Sequence, residues 1–140
     1  MQVSAQFPET TRRFTGAHEL GHVLLHTGEV MHRDRPIVGA TGAAVGRDTH
    51  EREADYFGGC YLMPQKLVYE AFELRFGSRR PFDADDAAAY YLRPNDQESV
   101  LNANGCELAA ILTTATRYGG KHFGKLHDEF MVSVPAMAIR

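Results

Sequence analysis

Cysteine is scarce in this chain of 140 residues: there are two, Cys60 and Cys106, and they form no CxxC pair of the kind that holds zinc or cycles with disulfide. Each lies in an apolar helical pattern, so both read as buried, reduced thiols of a cytoplasmic protein. Basic charge is not in surplus either. Fifteen Lys and Arg face 18 Asp and Glu for a net charge of -3, and only Arg12, Arg13 and Arg79, Arg80 are adjacent. That balance argues against direct nucleic-acid binding, which needs Lys and Arg gathered on one face. No run approaches the roughly 20 apolar residues of a membrane span. The longest candidate, "LAAILTTATRY", breaks into threonines and reads as a core helix, and "MQVSAQFPETTRR" lacks the apolar segment of a secretory signal. Internal repeats and low-complexity tracts are missing too. What remains is a single domain over residues 1–140, long enough to bury a core without disulfide or metal staples.

The periodicity is mostly helical. Residues 2–7, "QVSAQF", alternate polar and apolar and predict a short edge strand of a small N-terminal sheet, stopped by Pro8. Thr10 or Thr11 is placed to cap a helix running to about His26, ended by Thr27 and Gly28. Residues 36–47 hold three glycines and suit a loop or hairpin beside a site. A second helix should start at Asp48 or Thr49 and stop before Pro64, which opens a third closed by Gly77. Further helices are predicted at 83–93, 95–103, 106–118 and 121–130. In the tail "SVPAMAIR", Ser133 caps and Pro135 sits in the first turn of a helix that the chain leaves after two turns, as though a longer polypeptide continues.

Chemistry concentrates in "FTGAHELGHVLLH", Phe14 to His26. At 3.6 residues per turn, His18 and His22 project from one face about 6 Å apart along the axis, close enough to converge on one ion. Zinc, with Zn–N bonds of about 2.0–2.1 Å, suits such a pair. Glu19 is rotated by about 100° from His18, beside the ion's open position and free to act as a general base. HExxH is the metal-hydrolase helix motif for that reason. Five letters alone do not separate it from a satisfied pair of core histidines. The apolar flanks, Phe14, Ala17, Leu20, Val23, Leu24 and Leu25, favour buried rings that need partners. Gly21, costing roughly 1 kcal/mol against alanine in a helix, calls for a closely packed neighbour.

His26 extends the same face, but i to i+8 spans about 12 Å, too far for one tetrahedral ion. It reads instead as a helix-end residue interacting with the last carbonyls. The metzincin spacing also fails, since Leu25 and Gly28 stand where it requires glycine and histidine. A third ligand must come from elsewhere, and "THEREADYFGGCYLMP", Thr49 to Pro64, supplies one. Glu51 and Asp55 share a face, with the small residues Ala54, Gly58 and Gly59 permitting close approach to the first helix. Glu51 can then reach the ion, and Asp55 can accept the outer N–H of a ligand histidine. The plainer alternative is a capping box of Asp48 with Glu51. Glu53, the rival ligand, turns away from this face once Glu51 points inward. Two imidazoles and a carboxylate suit Zn2+, although nickel and cobalt accept the same donors.

"RRFTGAHELGH", then "EREADYFGGCYLMP", then "FMVSVPAMAIR" together resemble the ImmA/IrrE-type zinc metallopeptidases, whose pattern is rFTlAHELGH, ExxANxFAxxLLMP and fgVSxxAlaiRL in that order. The three blocks leave residues 65–129 without support from the match. The resemblance implies an α+β, mostly helical, minimal zincin-like domain of gluzincin type, its HExxH helix packed on an ExxxD helix. It implies zinc on His18, His22 and Glu51, with Glu19 catalytic, and Asp55 where the family has Asn or Asp. Gly16, Gly58, Gly59 and Cys60 depart from bulkier or alanine-rich family positions and suggest tighter packing. The implied activity is a zinc endopeptidase cutting a helix-turn-helix repressor, and so regulating transcription. Two other readings stand beside it: a non-catalytic antirepressor or toxin-type binding module, and a zinc hydrolase of small amides. Tyr61, Tyr118, His122 and His127 are the donors available for an oxyanion.

Overall fold

In the computed structural model the described residues are 7–26, 49–77 and 82–139. The expected strand over 2–7, the glycine-rich 36–47 stretch, the stop at Thr27 and Gly28, and the Asp48 cap all fall wholly or largely outside them.

Helix α1 spans Glu9–Leu25 and α2 spans Thr49–Leu62. Pro8 occupies the N-cap of α1, with no side-chain hydrogen bond, so neither Thr10 nor Thr11 caps it. Proline serves because its fixed φ and missing N–H cost little where the first donors have no helical partner anyway. The two helices run antiparallel and touch through their smallest residues. A Cβ built on Gly21 would lie 3.1 Å from the Ala54 Cα, and one on Gly58 would lie 3.3 Å from the His18 backbone nitrogen. Added side chains at Gly16 and Gly59 would meet nothing within 4 Å, so the close approach belongs to Gly21 and Gly58 alone among these four. Among the described residues, α1 buries Ala17 and Gly21, whereas Val23, Leu24 and Leu25 are exposed. Its apolar circumference is wider than the narrow seam that α2 covers.

Helix α3, Gln65–Phe76, follows Pro64 and ends at Gly77, whose left-handed φ of 73° closes the last turn. It carries Ala71 into a core with Met63, Leu126, Val132 and Met137. From the same helix, buried Arg75 staples distant segments together. Its Nη1 donates to the Ala71 carbonyl at 2.9 Å, Nε and Nη2 each donate to the Gly124 carbonyl at 3.1 Å, and Nη2 also pairs with Glu129. The guanidinium carbon stands 5.6 Å from the Phe123 ring centre.

Helix α4, Asp86–Leu92, is capped by the Asp85 side chain, which accepts from the Ala88 N–H at 2.8 Å. The one-turn α5, Glu98–Leu101, and α6, Gly105–Thr114, complete a second core of Ala89, Val100 and Ile111. Asn104 and Glu107 form a reciprocal capping box at the start of α6. Cys106 follows that cap and is exposed, and Cys60 is half-buried, so neither is the buried thiol expected. First-turn positions next to a polar cap face solvent.

The largest departure lies at 106–130. Instead of two helices meeting at Gly119 and Gly120, the chain forms an antiparallel hairpin of β1, Arg117–Tyr118, and β2, Lys121–His122. It is the only sheet among the described residues, so the small sheet seen in this mostly helical fold lies at 117–122, whereas the expected N-terminal strand falls outside those residues. The two glycines have φ of 54° and 80°, the conformation a two-residue hairpin turn demands. A glycine pair stops a helix, but its left-handed freedom also folds strands back. The hairpin persists because Tyr118 packs edge-on against Phe76 and Phe82, at 5.3 and 5.7 Å between ring centres. Burial, with the Asp85 charge and Tyr91, raises the Tyr118 phenol above its ordinary range. Helices α7, Leu126–Glu129, and α8, Val134–Ala138, finish the described chain, and Ser133 caps α8 by accepting from the Ala136 N–H at 3.3 Å.

Candidate metal centre

The antiparallel seam of α1 and α2 brings His18, His22 and Glu51 together. The two Nε2 atoms lie 3.0 Å apart, and Glu51 completes a triangle by placing one carboxylate oxygen 3.5 Å from His18 Nε2 and the other 3.4 Å from His22 Nε2. Tetrahedral coordination at bond lengths of about 2.0–2.1 Å requires donor atoms roughly 3.3 Å apart. The Nε2–Nε2 distance falls just under that separation and each Nε2 stands just over it from one of the two carboxylate oxygens, while one donor atom from each residue lies within 4.8 Å of the other two. Two imidazoles with one carboxylate are a donor set zinc accepts. The residues therefore fit the ion. Both rings are sheltered, with side chains 12 % and 23 % exposed, while Glu51 is 51 % exposed, so the triangle is open to solvent on the carboxylate side.

Outer contacts orient the rings. His18 Nδ1 donates to the Asp55 carboxylate at 2.9 Å, which turns its Nε2 lone pair toward the triangle. The imidazole is held above its ordinary value of 6.5, chiefly by this hydrogen bond, with the charges of Asp55, Glu51 and Glu19 adding in the same sense and burial opposing. Glu19, one position on, is half-buried on α1.

A raised folded pKa means that the His18–Asp55 pair contributes all of its stabilisation below the unfolded value near 6.5 and loses it as pH rises through the raised value. The metal-free protein should accordingly melt at lower temperature as pH is increased across that window, with a smaller slope in Asp55→Asn. Zinc affinity should move oppositely, falling as acid protonates the ring that must be neutral to bind. Calorimetric melting and chelator competition across pH 5.5–8.5 check both; a flat metal-free profile would contradict the assignment.

A profile described as Peptidase_M78, IrrE N-terminal-like domain, matches residues 1–93 of the chain, about two thirds of it. The chain belongs to this family. Comparison with curated proteins and with solved structures finds no match. The Peptidase_M78 match covers α1 through α4 and so contains the whole donor triangle. It supports a metallopeptidase-type activity in general terms. The block "FMVSVPAMAIR" lies beyond it, whereas residues 65–93, which the three sequence blocks left unsupported, lie within it.

Several residues behave differently from their sequence reading. The His26 backbone N–H bonds the His22 carbonyl at 3.0 Å, but its ring turns sideways into α2 rather than onto the last carbonyls. There Nε2 meets Glu53 at 2.8 Å and the ring packs 4.3 Å from that of His50. Glu53 thus belongs to the interface and does not turn away from it. The signal was present as a third histidine at i+4 spacing, "HVLLH", but only the antiparallel pairing shows what it faces. Of the proposed oxyanion donors, Tyr61 stacks on Phe57 at 5.9 Å, Tyr118 is held among aromatic rings, His122 is exposed on β2 and His127 lies 3.2 Å from Asp128. Among the described residues no helix is long and apolar enough to cross a membrane.

Proposed function

We propose that this chain is a zinc-dependent endopeptidase of the cytoplasm that cuts a helix-turn-helix transcriptional repressor. The observation that carries the reading is the donor triangle of His18, His22 and Glu51, the two Nε2 atoms 3.0 Å apart and the two Glu51 oxygens 3.5 and 3.4 Å from one Nε2 each, inside a peptidase family domain. In this reading His18, His22 and Glu51 hold Zn2+, Asp55 fixes the His18 ring, and Glu19 is the catalytic base. Bound there, zinc supplies Lewis-acid chemistry, lowering the pKa of a coordinated water to about 7 and polarising a carbonyl. The Glu19 carboxylate takes the proton of the attacking water and returns it to the leaving amine nitrogen. The repressor as substrate rests on the family resemblance.

The test combines metal analysis of the purified protein with incubation against an intact helix-turn-helix repressor, followed by mass spectrometry. One zinc per chain and time-dependent fragments are expected. Failure to take up a stoichiometric metal on loading would overturn the hydrolytic reading. A stable complex without fragments, equally strong in Glu19→Gln, would instead assign a non-catalytic antirepressor; cleavage of small amides alone would replace the substrate class.

A further inference from the structure

We infer that His26 and Glu53 are positioning residues for His22, forming a hydrogen-bond relay that sets which nitrogen of His22 faces the donor triangle. The inference rests on the reading of His22 as a metal ligand. His22 has its Nε2 in the triangle and its Nδ1 3.2 Å from the Nδ1 of His26, whose Nε2 lies 2.8 Å from the Glu53 carboxylate.

The direction of the relay follows from what each atom can do. A carboxylate only accepts, so the His26 Nε2 carries the proton and donates to Glu53. A neutral His26 then has a bare Nδ1, which can only accept. His22 must therefore place its proton on Nδ1 and leave the Nε2 lone pair free toward the triangle. With this tautomer His22 matches His18, whose Nδ1 donates to Asp55 at 2.9 Å. Each imidazole is thus oriented by an acceptor anchored on α2, directly for His18 and through one intervening ring for His22.

The surroundings suit a fixed relay rather than a passing surface contact. The His26 side chain is only 8 % exposed, and its ring is held by His50 at 4.3 Å between centres with an interplanar angle of 43°. Glu53 is 52 % exposed and acts as the solvent end of the chain.

Zinc affinity by chelator competition in His26→Leu and His26→Gln tests the relay. Glutamine keeps an acceptor for His22 and a donor for Glu53; leucine keeps neither. His26→Leu is expected to bind zinc about 10- to 100-fold more weakly, and His26→Gln to recover most of that loss. Circular dichroism confirms that both variants fold. Long-range proton–nitrogen NMR of the metal-free wild type at pH 8 should show His26 protonated on Nε2 and His22 on Nδ1. Wild-type affinity in His26→Leu, equal losses in the two folded variants, or a His26 proton on Nδ1 would each overturn the relay. A wild type that takes up no zinc would sink the metal reading itself, and this inference with it.

Discussion

Glu19→Gln should take up one zinc per chain, as the wild type does, yet cleave substrate about 10²- to 10⁴-fold more slowly, the range that a positioned general base contributes. The substitution is nearly isosteric and leaves His18, His22 and Glu51 untouched. What it removes is the ability to accept a proton. In the proposed mechanism the Glu19 carboxylate takes the proton from water and gives it back to the leaving nitrogen, whereas the neutral amide cannot. It also removes one of the negative charges that hold the His18 imidazole above its ordinary value. Zinc content by elemental analysis and single-turnover cleavage separate binding from chemistry. Full activity in the variant would refute Glu19 as the base.

Gly21→Val is the substitution with the largest expected effect on folding. Its Cβ would stand 3.1 Å from the Ala54 Cα, 3.1 Å from the Phe57 ring edge and 3.3 Å from the Ala54 carbonyl oxygen. A rotamer change can move Phe57 aside, but the backbone of α2 can yield only by shifting the helix. Replacing glycine gains at most roughly 1 kcal/mol of helix propensity, less for a β-branched side chain, against an overpacking cost of about 1–3 kcal/mol or more. The expected result is a lower denaturation midpoint. Zinc affinity should weaken in parallel, because α2 carries Glu51 and Asp55 away with it. Gly16→Ala is the control: nothing lies within 4 Å of its added carbon, so the propensity gain should appear undiminished as higher stability. Wild-type stability and zinc affinity in Gly21→Val would show that the seam is looser than described.

Local signals explain most of the agreement between sequence and fold. Pro64 and Gly77 bracket α3, Asp85 and Ser133 cap α4 and α8, and each acts through bonds within a few residues of itself. The region after α6 departs from the helical expectation because "RYGGKHF" supports a helix stop and a hairpin equally well at short range. What decides is Tyr118 reaching Phe76, 42 positions earlier in the chain. The same limit applies to His26: its spacing from His22 was legible, but its partners on α2, His50 and Glu53, were not.

The letters alone determined the chemistry on each helix: two imidazoles four apart, a glutamate after the first, and two carboxylates four apart on the next helix, because regular helical rise and rotation make spacing along one helix predictable. Only the tertiary structure decided that these faces meet. The distance between them depends on Gly21 against Ala54 and Gly58 against the His18 backbone, contacts between segments far apart in the chain that no local periodicity specifies. That packing closes the triangle around Glu51 and turns His26 from a helix end into a partner of His22.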